Sequence, residues 1–410
     1  MNKKLSLAVA GAVMAFGASA ANAGIIIPAG DWTLDIGGNV NTFYTYTKTS
    51  GDAVGLGGAS STGRKNESNI TTGLLPNYLS VSGKTRQNDL DVAFTISIQP
   101  GSSTTHSGEQ NAPNNQENRQ AFLTFGDKSW GSVKIGKDIG IYASDAILND
   151  MTLLGVGSGA GLLAGNTTTL GRIGTGFIYA DWKSQIAYTS PNWNGFSFTG
   201  GVTQAWNTFS LAGPGGVASA SSTGRGGSQP AFEGKASYEW AGDFAGKVWA
   251  SGITQKVQDI TSTTSVTGLT NDRASAWDLG ATVNVAGFGL TGYYGQGNGM
   301  GTTVQLADGF DPTGNARDSD DWYVQGTYVI PGVGTKLGVS YGKSTLDGNN
   351  VDGFNHYSNR MATIGAYHPL TKHLNLVAEY SDVVSKVEVS GPGDLNGKSR
   401  TLSLGAIMFF

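Results

Sequence analysis

The chain has 410 residues, a formal net charge of −4 at pH 7, no cysteine and 63 glycines. Without cysteine there are no disulfides and no thiolate metal sites, and a mildly acidic chain without basic blocks argues against a nucleic-acid partner. Glycine at more than twice ordinary usage fits turns and close-packed strands better than helices.

Residues 1–23 read as a cleaved secretory signal. Lys3 and Lys4 precede an apolar run from Leu5 to Phe16, and Ala21-Asn22-Ala23 has the small-x-small form of a cleavage site. The run is too short to span a bilayer as a helix. The mature chain is expected to start at Gly24, and residues 24–410 to form one domain.

From there on, helical periodicity is almost absent and period-2 stretches recur. Leu90, Val92, Phe94, Ile96 and Ile98 alternate with Asp91, Ala93, Thr95, Ser97 and Gln99. Phe232, Ala236, Tyr238 and Trp240 stand opposite Glu233, Lys235, Ser237 and Glu239, and Trp277, Leu279, Ala281, Val283 and Val285 opposite Asp278, Gly280, Thr282 and Asn284. Each such strand has one apolar and one polar face.

The connections set the architecture. Tight turns are expected around Arg86–Asn88, Asp127–Trp130, Pro191–Asn194, Ala241–Asp243, Ala286-Gly287, Pro331–Gly334 and Leu370–Lys372. Long polar loops are expected at about 48–72, 100–116, 139–181, 207–230, 258–274, 298–320, 346–356 and 387–397. Short and long alternate, which predicts about sixteen antiparallel strands in an up-and-down meander with every long loop at one end. The first strand, from about residue 31, then pairs with the last, 398–410, to close the sheet.

Three features favour an all-β transmembrane barrel over a secreted sandwich. The loop lengths are asymmetric between the two ends. Trp130, Trp193, Phe196, Trp240, Phe244 and Phe288 sit beside tight turns, as in an interfacial girdle. The polar face carries Asp91, Glu233, Lys235, Glu239, Asp278 and Glu379, which suits a water-filled lumen.

Patterns of catalysis and metal binding lack their structural context. Gly338-Val339-Ser340-Tyr341-Gly342 matches the nucleophile-elbow pattern but lies inside an alternating strand, not on a strand-to-helix turn. His368 and His373 flank a turn without the spacing of a helical zinc motif. No metal site, cofactor or enzymatic constellation is expected.

Residues 118–176 are the most informative stretch. Arg119 precedes Phe125-Gly126 and Trp130-Gly131 around a turn, then come Gly136-Lys137, a long loop and the return Gly171-Arg172-Ile173-Gly174. In this segment the chain resembles the trimeric sixteen-stranded general porins of Gram-negative outer membranes. The resemblance implies a passive, water-filled channel for small hydrophilic solutes and ions, a homotrimer surrounded by outer-membrane lipid and lipopolysaccharide. It also implies that the third loop, about 139–181, folds into the barrel and narrows it.

By resemblance, Arg119, Lys137 and Arg172 form the basic wall of the constriction and Asp150 its loop carboxylate. Lys137 stands where the family usually has Arg, Leu154 occupies the next acidic position, and Tyr78 replaces a further wall arginine. Three cations against Asp150 lead us to expect a weak anion preference; the alternative is that one or two of Arg119, Lys137 and Arg172 point elsewhere or pair with loop carboxylates such as Asp138 and Asp145. The apolar loop residues Ile139, Ile141, Ile147, Leu148, Leu153 and Leu154 are expected to pack the loop against the wall; the alternative is a hydrophobic constriction. The terminal Phe410 resembles the family's assembly signal. Competing readings are a substrate-specific porin and, in a different class, an adhesin or enzyme carried on an outer-membrane barrel.

Overall fold

Strand-forming alternation builds a single sheet that closes on itself. The computed structural model describes residues 24–52, 65–104, 116–159, 168–210, 219–262, 265–391 and 393–410. The expected signal, residues 1–23, lies outside them. The strands are β1 (Ile25–Ala29), β2 (Trp32–Gly51), β3 (Asn66–Thr71), β4 (Tyr78–Gln87), β5 (Leu90–Pro100), β6 (Gln116–Asp127), β7 (Gly131–Ile139), β8 (Trp182–Thr189), β9 (Phe196–Thr203) and β10 (Ser219–Ala220). They continue as β11 (Ala231–Trp240), β12 (Phe244–Ser262), β13 (Ser265–Val285), β14 (Phe288–Asn298), β15 (Asp318–Val329), β16 (Lys336–Asp347), β17 (Phe354–Pro369), β18 (Leu374–Val389) and β19 (Leu395–Phe409).

β3 and β4 are one stave broken at 72–77, since both pair with β2, and β10 and β11 likewise share β12. Counting each broken stave once, β2 to β19 form a closed antiparallel up-and-down barrel of sixteen strands. Closure runs along β19 and β2 from Gly397↔Gly51 to Phe409↔Asn39. Phe410 completes it through paired backbone hydrogen bonds with Gly38, at 2.8 and 3.0 Å. The rest of that edge of β2 is covered by β1, from Ala29↔Trp32 to Ile25↔Ile36. β1 thereby pairs the amides of β2 that β19 does not reach.

The turns follow from local chemistry. Asn88 and Asp89 have φ of 48° and 63°, and Ala286 and Gly287 have 48° and 84°, the left-handed pair that a two-residue hairpin needs. One expected loop is absent. Residues 258–274 continue as the ladder of β12 and β13, as far as Ser262↔Ser265. The stretch is polar, but its threonines, Ile260 and Val266 are β-branched and favour an extended hairpin over a loop. The connections expected at 346–356 and 387–397 are also shorter, because β16 to β19 run further than the sequence suggested.

The apolar parity points outward. Leu402, Leu404 and Met408 are exposed while Ser403 and Thr401 are buried. Phe232 and Tyr238 are likewise exposed and Glu233 buried on β11, and Ile96 and Ile98 are exposed against Ser97 and Gln99 on β5. Beside the tight turns, Trp130, Trp193, Phe196, Phe244 and Phe288 are exposed, with Trp193 stacked on Phe196 at 6.2 Å and Phe288 tilted against Tyr328 at 4.4 Å. Among the described residues no helix is long and apolar enough to cross a membrane.

Apolar burial lies on the opposite side of the sheet. Ile147, Leu153, Leu170, Ile173 and Phe177 of the β7–β8 connection pack with Trp249, Tyr293 and Tyr323 of the wall. Burying one such side chain contributes roughly 1.5–3 kcal/mol. The β7–β8 connection is therefore held by a core of its own.

Candidate pore constriction

Segment 140–181 is assembled from short local elements tied to the inward faces of distant strands. It contains a helix, α1 (Ser144–Leu148), and a 3-10 turn, Met151–Leu154. Asp150 caps that turn, accepting from Thr152 N at 3.0 Å and from Thr152 Oγ1 at 2.6 Å.

Two wall carboxylates grip its backbone. Glu233 on β11 accepts from Ile141 N and Tyr142 N through Oε2, at 2.8 and 2.9 Å. Through Oε1 it accepts from Lys183 Nζ at 2.6 Å and Thr203 Oγ1 at 2.8 Å. Glu379 on β18 accepts from Val156 N and Gly157 N, both at 2.8 Å, and from the Tyr367 hydroxyl at 2.6 Å. A Cβ at Gly155 would lie 2.0 Å from Glu379 Oε1, so glycine permits this approach.

Between these anchors, the Tyr323 hydroxyl donates to Ala146 O at 2.9 Å. Gln325 donates to Asn149 O at 2.6 Å and accepts from Met151 N at 2.9 Å. Asp145, in the first turn of α1, pairs with Lys235 at 3.0 Å and Lys247 at 2.7 Å. Burial works to raise the Asp145 carboxyl, but the two lysines outweigh it and hold it below the ordinary carboxylate value. Further along, Gly176 N donates to Ser344 Oγ at 2.9 Å. The segment thus touches the inward faces of β11, β15, β16 and β18. The connection 299–317 braces it from beyond, with Tyr179 N donating to Thr303 O at 2.9 Å and Gln305 Nε2 to Tyr179 O at 3.3 Å.

The residues singled out from sequence separate. Arg119 is buried at the start of β6, paired with Glu117 at 2.7 Å, donating to the Tyr179 hydroxyl at 3.3 Å and lying 5.8 Å from the Trp182 ring. Tyr78, at the start of β4, lines the same cavity as Arg119. Arg172 is buried completely, donating to Met361 O at 3.0 Å and set 5.9 Å from the Tyr323 ring. Among the described residues, its Nε and Nη2 make no hydrogen bond. Burial lowers its guanidinium from the ordinary value, against the opposing charge of Asp150.

Asp150 is also buried, and that burial raises its carboxyl despite Arg172 and the hydrogen bonds from Thr152. Leu154 packs with Phe43, Val156 and Tyr367. Asp145 belongs to the lysine pair just described, and Asp138 to Lys134 and Gln120.

Lys137 departs from the arrangement expected of it. Its register partners are Ala121 and Ser184, on the parity of exposed Ile135, whereas Lys134 and Asp138 share the inward parity. Its Nζ donates to Asn118 O at 2.8 Å, and it borders an open cleft with Trp182, Trp206 and Arg225. The motif gave the position of this lysine but not the face on which the alternation sets it. Arg119, Lys137 and Arg172 therefore do not form one exposed row. Sequence reasoning noted Glu233, Lys235 and Glu379 only as polar-face charges and did not see Lys183 as a buried cation. Their shared parity was the signal available. Ser340 lies within β16 and points inward, without a strand-to-helix turn.

A family model described as Gram-negative porin matches residues 8–386. Among solved structures, the chain is similar to the outer membrane channel DcaP of Acinetobacter baumannii, at 16% identity and a TM-score of 0.66, covering 93% of this chain and 99% of that one. An anion-selective porin from Comamonas acidovorans aligns at 16% identity and a TM-score of 0.59, covering 92% and 100%. OmpF of Salmonella typhi, solved in complex with daunomycin, aligns at 16% identity and a TM-score of 0.54, covering 94% and 100%. No curated protein sequence matches. These structural likenesses speak to the fold, while the family match covers most of the chain. The chain belongs to the Gram-negative porins and is an outer-membrane channel for passive diffusion.

Proposed function

We propose that segment 140–181 is the constriction of this channel, and that passage requires no chemistry: size is limited by the gap between segment and wall, and ion preference by the charges at that gap. The observation that carries the reading is the pair of buried glutamates, Glu233 and Glu379, which hold the segment's backbone against wall strands far apart in the sheet. A loop held near its start and again at its middle by opposite parts of the wall obstructs a barrel permanently instead of flapping at its mouth.

The proposed assembly is a homotrimer in outer-membrane lipid and lipopolysaccharide, carrying small hydrophilic solutes and ions. One solved relative, OmpT of Vibrio cholerae, is described in a trimer form. The proposed ion preference is weakly anionic and rests on Arg119, which lines a cavity beside the segment although it is buried and paired with Glu117, and not on the fully buried Arg172. The reading is non-enzymatic. Purified protein added to a planar bilayer is expected to give stepwise conductance increments. A reversal potential displaced modestly toward that of chloride is expected under a KCl gradient. A bilayer that stays silent, or a clear cation preference, contradicts the reading.

A further inference from the structure

Five adjacent strands carry one register row on the inward face: Ser251 on β12, Asp278 on β13, Gly295 on β14, Asp321 on β15 and Ser344 on β16. Segment 140–181 touches both ends of that row. Ala143 N donates to Ser251 Oγ at 3.1 Å, and Gly176 N to Ser344 Oγ at 2.9 Å. Ser251 in turn holds Asp278, donating to its Oδ1 from N at 3.0 Å and from Oγ at 2.7 Å. At the centre, glycine leaves room that the Tyr293 hydroxyl takes, 2.8 Å from where a Cβ of Gly295 would stand. Three oxygens about this glycine lack partners. Asp278 Oδ2, Asp321 Oδ1 and the Tyr293 hydroxyl make no hydrogen bond among the described residues, and each of these side chains belongs to a residue at most 4% exposed. Neither aspartate is paired with a lysine or arginine among the described residues, since Lys235 and Lys247 of β11 and β12 are engaged by Asp145. Two buried carboxylates flanking one glycine without a counter-ion are costly to a folded wall.

We propose that this row binds a calcium ion through Asp278 Oδ2, Asp321 Oδ1 and the Tyr293 hydroxyl, with water completing the shell. Two carboxylates balance the two charges of the ion, and all three protein ligands are hard oxygens of the kind calcium takes. A water molecule would satisfy hydrogen bonds there but would leave both negative charges unbalanced. The aspartates stand two strands apart, so roughly 9–10 Å separates their backbones. Calcium, with longer bonds and a tolerant shell, suits ligands drawn from such a span better than magnesium, which demands a compact octahedron. The bound ion ties β13 to β15 beneath the segment. The site itself stands apart from the channel reading, and only its bearing on current rests on segment 140–181 being the constriction.

The test uses purified full-length protein in detergent, stripped with EDTA and dialysed against radioactive calcium. A single tightly held calcium per chain is expected. Asp278→Asn and Asp321→Asn are each expected to weaken it at least about tenfold. Asp347→Asn, at an exposed carboxylate beside His356, is expected to leave it intact. Unfolding midpoints separate loss of the ion from loss of the fold. Calcium is expected to raise the midpoint of the parent protein and to leave those of Asp278→Asn and Asp321→Asn in place. In EDTA these two variants, relieved of an unbalanced charge, are expected to unfold no earlier than the parent. Equal calcium binding by the parent and both variants, or a parent midpoint that ignores calcium, overturns the proposal. Absence of conductance steps in a bilayer overturns the channel reading instead, and leaves the calcium count as it is.

Discussion

The ammonium of Lys183 lies 2.6 Å from the Glu233 carboxylate, and neither side chain reaches solvent. Glu233 simultaneously holds two backbone amides of segment 140–181, so this one pair joins the barrel wall to the proposed constriction. Removing one partner leaves the other as an uncompensated buried charge, which typically costs about 3–5 kcal/mol. Glu233→Gln is therefore expected to lower the denaturant midpoint of the folded barrel markedly. Glu233→Gln combined with Lys183→Met is expected to recover part of the loss. Equal destabilisation in the single and double variants would show that the pair is not coupled.

The second anchor makes a steric prediction. Gly155 admits Glu379 so closely that any side chain must displace either the carboxylate or the segment. Gly155→Ala is expected to shift the segment from the wall and raise single-channel conductance. Glu379→Gln, which keeps the volume but weakens the charge-assisted bonds to Val156 N and Gly157 N, is expected to raise current noise with a smaller change in mean. Recordings indistinguishable from the parent protein for both variants would count against the anchoring role.

Asp145 supplies a pH dependence. Its carboxyl titrates below the ordinary value of about 3.9 in the folded protein. The stabilisation it lends is therefore complete above that value and lost as pH falls through the lowered one. Current noise is expected to rise only below about pH 4, and Asp145→Asn is expected to show similar noise at pH 7. A parent channel whose noise stays level as pH falls through the titration of Asp145, while Asp145→Asn is noisy at pH 7, would argue against this contribution of Asp145.

Both arginines are buried, but only one of them borders the cavity beside the segment. Arg119 lines the cavity, while Arg172 is enclosed among Tyr323, Met361 and Thr175. Arg119→Gln is expected to move the reversal potential under a KCl gradient toward potassium, and Arg172→Gln to leave it in place while lowering stability. The opposite ranking would put the selectivity determinant on the returning arm of the segment.

Phe410 closes the barrel with two backbone hydrogen bonds to Gly38. Deleting it is expected to reduce the yield of folded protein in the membrane fraction and to leave the conductance of inserted channels unchanged. Normal yield would remove Phe410 from any role in assembly.

Much of this architecture was legible because a barrel wall has two solvents. Period-2 alternation at Leu402–Phe410 and Phe232–Trp240 told outward from inward residues, and Arg86–Asn88 and Ala286-Gly287 marked two of the hairpins. The β12–β13 hairpin was missed because polarity was read as loop where β-branching meant strand. The site was harder to read. Arg119, Arg172 and Asp150 were found by motif, but a motif carries no information on burial, and two of the three are enclosed by the segment that was expected to display them. Lys137 failed on parity, which its neighbours Lys134 and Ile135 could have supplied. Lys183 and Glu233 are 50 positions apart in sequence, and only the closed sheet brings them together.

The central claim is that segment 140–181 lines the route that ions take. The chain contains no cysteine, so a single introduced thiol reports without background. With Leu148→Cys in a planar bilayer, a sulfonated methanethiosulfonate reagent is expected to lower the single-channel current in discrete steps that a reducing agent reverses. Current unchanged by complete modification of the thiol, verified by mass, would contradict the claim.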